Sequence, residues 1–152
     1  MITINIVCVG NLKEKFWQDA CAEYAKRLSK FCKLNIVELA EQNKYDNIEK
    51  IKEVEGEDII AHLNGKSFLL EINGREYSSE DFASTIEKSA IEASTLTFVI
   101  GGSYGTSGAV KDKIKDKLSF GKATYPHNLA RVILLEQIYR AFMINSGGRY
   151  HK

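Results

Sequence analysis

Apolar and polar positions along the chain switch repeatedly between a period of two and a period near 3.6. Residues 2–9 (ITINIVCV) form an apolar, β-branched run that stops at Gly10, which predicts a first, central strand. From Phe16 to Phe31 the period changes. Trp17, Ala20, Cys21, Tyr24, Leu28 and Phe31 recur at helical spacing with Lys and Glu between them, which predicts a helix whose aromatic stripe is core. Leu34 to Leu39 alternates as a second strand, and Ile48, Ile51, Ile59 and Leu63 lie on a second helix closed by Asn64-Gly65. Ser67 to Ile72 predicts a third strand ending at Asn73-Gly74. That pair reads as a strand-to-helix loop, because Ser78 and Asp81 make a capping-box pattern and Phe82, Ile86, Ala90 and Ala93 then share one helical face. Thr95 to Ile100 is a fourth strand. Val110, Ile114 and Leu118 mark a short basic helix, and Leu118 to Phe120 a very short fifth strand.

The last helix, His127 to Ile144, is entered at Pro126, whose missing N–H is not needed in a first helical turn. After its first turn only Arg131, Glu136, Gln137 and Arg140 are strongly polar. A helix apolar nearly all round is not stable on the surface of a small monomer, so its second face predicts a symmetric contact with another copy. Glu136 and Arg140 are four apart and can satisfy each other. The tail from Ser146 to Lys152 is too glycine-rich for a helix, yet holds an aromatic ring, an imidazole and two cations.

Strands alternating with helices predict an α/β fold, a mostly parallel sheet flanked by helices, in a single domain spanning residues 1–152. Composition agrees, with 44% hydrophobic and 27% charged residues and one proline. Cys8, Cys21 and Cys32 are odd in number and lack C-x-x-C spacing, which argues against a disulfide framework and a zinc site and for reduced core thiols in the cytoplasm. No basic n-region or long apolar run suggests a signal peptide or membrane span. The formal charge of +1 conceals an asymmetry: residues 38–58 hold eight acids against three bases, whereas residues 111–152 hold nine bases against three acids. Such a second half suits phosphates, and the first half then faces away from them.

In parallel α/β sheets ligands sit beyond the carboxyl ends of the strands. Three predicted strand ends carry glycine: Gly74, Gly101 with Gly102, and Gly121. Loops of that kind, short of charge, suit a ligand held by main-chain N–H and C=O groups, such as a nucleoside. Neither a P-loop, nor a dinucleotide fingerprint after the first strand, nor a nucleophile elbow, nor metal-ligand spacing is present.

Leu70 to Gly74 is followed by Ser78-Ser79-Glu80-Asp81-Phe82-Ala83, then by Phe98-Val99-Ile100-Gly101-Gly102 with Gly105. Next come Thr124-x-Pro126-His127-x-x-x-Arg131-Val132, Leu135-Glu136-Gln137-x-Tyr139-Arg140-Ala141 and a terminal Tyr150-His151-Lys152. This succession, over residues 2–152, resembles the RlmH family, the pseudouridine N3-methyltransferases of large-subunit ribosomal RNA within the SPOUT superfamily. The resemblance implies a C-terminal trefoil knot, a homodimer, S-adenosylmethionine as methyl donor, and action on ribosomal RNA in the assembled ribosome without metal or membrane.

Carried over by position, the resemblance implies a cofactor pocket of Leu70, Gly74, Gly102 and the run Gly121, Lys122, Ala123, Thr124, Tyr125 and Pro126. His127, Tyr150 and His151 are then the candidates for handling the N3 proton, with Arg131 and Arg140 orienting phosphate or stabilising negative charge. Four positions depart from the family's usual pattern, which has Ser at Gly121, a larger apolar residue at Ala123, and His-Pro at Gly148-Arg149. They leave two alternatives open, a non-catalytic RNA- or ribosome-binding module with a degenerate pocket and a SPOUT methyltransferase acting on another RNA position.

Overall fold

The computed structural model describes residues 1–152. Ten elements alternate along it: β1 (Ile2–Val9), α1 (Lys15–Leu28), β2 (Cys32–Leu39), α2 (Ile48–Ala61), β3 (Lys66–Glu76), α3 (Ser79–Glu92), β4 (Thr95–Ile100), α4 (Gly108–Lys113), β5 (Asp116–Ser119) and α5 (His127–Asn145). The strands form one sheet in the order β2-β1-β4-β3-β5, and every neighbouring pair is parallel.

The period-two pattern explains the layering. Ile4, Ile6 and Cys8 of β1 and Leu96, Phe98 and Ile100 of β4 face α1, α3 and α5, which supply Leu28, Phe82, Ile86, Leu134, Leu135 and Ile138. Val7, Val9 and Val99 face the other way, onto Ile59 of α2 and Val110 of α4. The Phe68 and Phe98 rings stack at 5.0 Å, and Phe82 meets Phe98 edge-on at 6.1 Å. Helix starts follow the expected chemistry: the Ser78 hydroxyl accepts from the Asp81 N–H at 3.0 Å, and Asn47 Oδ1 accepts from the Glu49 N–H at 2.9 Å.

Two expectations are corrected. The third strand does not stop at Asn73-Gly74 but runs to Glu76. Leu70 and Arg75 both pair with Leu118, so Glu71 to Gly74 bulge out between them. Gly74 is bare because β5 passes close by, where a Cβ would come 2.7 Å from the Lys117 carbonyl carbon. Turn chemistry suggested an end there, and pairing with a distant strand overrode it. The stripe of α1 is also only partly core: Cys21 and Leu28 are buried, Trp17, Tyr24 and Phe31 half-buried, and Phe16 is 63% exposed. That helix lies along the flank of α5, where Phe31 stacks on Phe142 at 5.6 Å at the rim.

Candidate active site

Because β3 is flanked by β4 and β5, the carboxyl ends of these three strands lie side by side. The chain leaves them by the Glu71–Gly74 bulge, the turn from Gly101 to Thr106, and the loop from Phe120 to Pro126. A cleft of about 270 Å³ opens between these segments, walled by Leu70, Ile72 and Leu118 and edged by Gly105, Gly121, Ala123, Thr124 and Tyr125. An adjoining space of about 160 Å³ shares Leu70, Glu71, Gly105 and Tyr125 with it and adds Gly102 and His127. Together they reach the scale of small-molecule sites, roughly 300–1,000 Å³.

Small residues keep part of this wall low: Gly105, Gly121, Ala123 and Ala130 all line it. At Gly105 and Gly121 φ is +82° and +109°, and a Cβ on either would meet nothing within 4 Å, so both leave space along the cleft. Ser119 holds the shape: its hydroxyl accepts from the Gly121 N–H at 3.0 Å and has the carbonyls of Ile72, at 2.9 Å, and Gly121, at 3.1 Å, within reach of its single proton. Glu71 is the one carboxylate on the cleft, with Lys111 Nζ 3.9 Å away. The glycine turn is steadied from outside, where Ser103 Oγ donates to Glu41 at 2.9 Å and buried Glu55 accepts from the Gln42 N–H at 2.9 Å. Burial, with the neighbouring Glu41 charge adding to it, pushes the Glu55 carboxyl up.

Of the residues expected at a cofactor pocket, Leu70, Gly121, Ala123, Thr124 and Tyr125 line the cleft and Gly102 the adjoining space. Gly74 packs on β5, and Lys122 and Pro126 lie exposed in the loop without lining either space. Glu71 and Ser119 escaped sequence reasoning because both sit inside strand patterns, where a polar residue reads as the solvent face.

The five residues expected to act in chemistry separate into three places. His127 lines the smaller space. Arg131 is 2% exposed and already occupied: it donates to Glu38 at 2.7 Å and to the Gly10 carbonyl at 3.2 Å. A guanidinium held between α5 and the ends of β1 and β2 presents little surface to a phosphate. Arg140, Tyr150 and His151 gather around Glu136 instead. The Glu136 carboxylate accepts from Arg140 Nε at 2.8 Å, from the Tyr150 hydroxyl at 3.2 Å and from Gln137 Nε2 at 2.9 Å. Arg140 Nη1 donates to His151 Nδ1 at 3.1 Å, and His151 Nε2 lies 2.6 Å from Glu80.

Arginine has only donors, so Nδ1 of His151 carries the lone pair and Nε2 carries the proton given to Glu80. Hydrogen bonding from His151 holds the Glu80 carboxyl below the usual range. Burial, then the Glu136 charge, pushes the Tyr150 phenol up to about 12, so it stays protonated and can donate. The tail reaches this position through the end of α5. The Gly148 N–H bonds the Met143 carbonyl at 2.8 Å and the Gly147 N–H the Ile144 carbonyl at 3.1 Å, with Gly147 at φ +75°. That paired cap turns the chain back along the helix. The glycines that weaken a tail elsewhere fold this one.

No cluster of three or more His, Cys, Asp or Glu is arranged to hold a metal ion. The three cysteines are free and buried, and burial pushes Cys8 up to about 12 and Cys32 to about 11, away from thiolate chemistry. No helix is long and apolar enough to cross a membrane.

Residues 2–151 match a family model described as "Predicted SPOUT methyltransferase". The chain is similar to proteins named "Ribosomal RNA large subunit methyltransferase H". That of Lactobacillus helveticus is 50% identical over 159 residues, covering 99% of this chain and all of the relative. Those of Lactobacillus acidophilus and Clostridium botulinum are 50% and 48% identical with the same coverage.

Proposed function

The chain belongs to the SPOUT methyltransferase family, and from that premise we propose that it methylates N3 of a pseudouridine in large-subunit ribosomal RNA, using S-adenosylmethionine. The observation that carries this reading is the largely apolar cleft at the ends of β3, β4 and β5, which Gly105 and Gly121 leave open. The residues fit the donor: bare backbone and Leu70 suit an adenosine moiety, and Glu71 suits its positive charge. When bound, S-adenosylmethionine supplies a methyl group on a sulfonium and leaves as the neutral thioether once the N3–methyl bond has formed.

The protein's part is to hold the two reactants in line and remove one proton. Leu70, Gly121, Ala123, Thr124 and Tyr125 hold the donor, with Gly102 extending the site and Lys122 and Pro126 setting the course of the loop. Tyr150, kept as a phenol, donates rather than accepts, and both nitrogens of His151 are engaged. His127, on the wall of the adjoining smaller space, is the third candidate for that proton. Arg140 holds the tail and offers positive charge near the acceptor. The single domain of residues 1–152 acts as a homodimer with the knotted C-terminal half of its superfamily, on assembled ribosomes in the cytoplasm. Similarity over the full chain to proteins named as methyltransferases favours this over a non-catalytic module.

Purified protein and labelled methyl donor, incubated with ribosomes that contain or lack pseudouridine, test the reading. Label is expected only in pseudouridine-containing large-subunit RNA, at N3. Equal label in both preparations, or none with donor bound, rejects it.

A further inference from the structure

We propose that a second cavity, of about 330 Å³, between the start of α3, the end of β5 and α5, is the acceptor site and takes a uracil-type nucleobase. The proposal rests on the methyl-transfer reading above and locates the other half of its active site. Methyl transfer requires the reacting atoms to approach within about 3–3.5 Å, so the base must enter a space next to the donor cleft. This cavity shares Leu118, Ser119, Phe120, Gly121 and Tyr125 with that cleft. The cavities beside Arg131 and beside Gly65 share none of its residues.

The lining matches a planar, hydrogen-bonding ring. Tyr77, Phe82, Phe120 and Tyr125 contribute aromatic surface, and Tyr125 is 40% exposed at the junction of the two spaces. Aromatic side chains hold unstacked bases by stacking worth about 1–3 kcal/mol each. The remaining space beside the donor, near Gly102, is half the size and has Tyr125 as its one aromatic ring apart from His127.

Gln137 supplies polarity with a fixed sense. Its Nε2 donates to Glu136 at 2.9 Å and its Oε1 accepts from Ser79 at 2.9 Å. An ionised carboxylate only accepts, so the amide cannot flip, and one N–H and one lone pair of the carboxamide remain for a ligand. That pair complements part of an imide edge. The spare N–H suits a ring carbonyl, the atom on which negative charge builds as N3 gives up its proton. Gln137 also joins the cavity to Tyr150, Arg140 and His151 through Glu136, which explains how a tail away from the donor cleft serves the same reaction.

Filling the cavity without touching the donor cleft tests this. Ile133→Trp from α5 and Glu76→Trp from the exposed end of β3 each place a ring in it, and neither residue lines the donor cleft. Both variants are expected to bind S-adenosylhomocysteine within twofold of wild type by calorimetry and to melt within a few degrees of it. Methyl transfer to ribosomes is expected to fall at least 100-fold. Gln137→Met is expected to lower kcat about tenfold with little change in KM for ribosomes. Wild-type transfer by both tryptophan variants, with the ligand bound, overturns the acceptor site alone. Absence of S-adenosylhomocysteine binding by the wild type overturns the donor reading, and this site with it.

Discussion

Arg131 and Glu55 are two buried charges with opposite consequences. Arg131 pairs with Glu38 from 93 positions away, and Glu38 is 40% exposed at its side chain, so water can take over the carboxylate if the guanidinium is removed. Arg131→Met then loses charge-assisted hydrogen bonds but leaves no sealed charge, and should cost about 1.5–3 kcal/mol in urea unfolding. S-adenosylhomocysteine affinity should be unchanged, and a loss of affinity greater than the loss of folded protein would restore a role at the site. For Glu55 the folded-state proton affinity is raised, so the native state binds more protons than the unfolded one just above the usual carboxyl range. Stability contributed by this group is present at acid pH and declines as pH rises through its folded value. Glu55→Gln, which keeps an acceptor for the Gln42 N–H, should flatten that decline above the usual carboxyl range and raise stability at neutral pH. Parallel unfolding curves for the two proteins across that range would show that Glu55 does not titrate there.

At the scale of elements, the decisive device outside the sheet is the cap that ends α5. Gly147 sits at φ +75°, where a side chain is strained, and the Gly147 and Gly148 N–H groups close the last turn. Gly147→Ala should lose about 1 kcal/mol and loosen Tyr150 and His151 from Glu136 and Glu80. The expected result is a fall in kcat with S-adenosylhomocysteine binding intact, and an unchanged kcat would mean that the tail finds its place without the cap. The sequence made this element visible as a glycine-rich tail but not as a cap, because a cap is defined by which carbonyl each N–H meets. The same distinction runs through the fold. Periodicity revealed the alternation of five strands with five helices, although the short basic helix ends at Lys113 and Leu118, expected on it, belongs to β5. Long-range pairing hid the true end of β3, and an amphipathic stripe did not distinguish the core from the half-covered flank where Phe31 and Tyr24 lie. Glycine-bearing strand ends pointed to the edge of the sheet where the cleft lies, and the family resemblance named Leu70, Gly121, Ala123, Thr124 and Tyr125 among the residues that line it. The second cavity was invisible, because Tyr77, Phe82 and Gln137 are ordinary element residues until α3, β5 and α5 pack together.

For the molecule as a whole, the question is what covers α5. Ala130, Leu134, Leu135, Ile138 and Ala141 are buried in the core, while Leu129, Val132, Glu136, Arg140 and Met143 form a continuous, partly exposed face between α1 and α3. That face is apolar at both ends and carries the Glu136–Arg140 pair in its middle. A two-fold axis across it would therefore bury hydrocarbon twice while each ion pair stays satisfied within its own chain. Sedimentation equilibrium at micromolar concentration should give twice the 17.1 kDa chain mass. Val132→Asp, which puts a charge on that face without entering either cavity, should return the mass to one chain while S-adenosylhomocysteine binding persists. Because Glu136, Arg140, Tyr150 and His151 border this face, methyl transfer should fall with dimerisation rather than with donor affinity. A Val132→Asp protein that is still dimeric would move the interface elsewhere, and a monomeric one with full activity would show that a single chain holds the complete site.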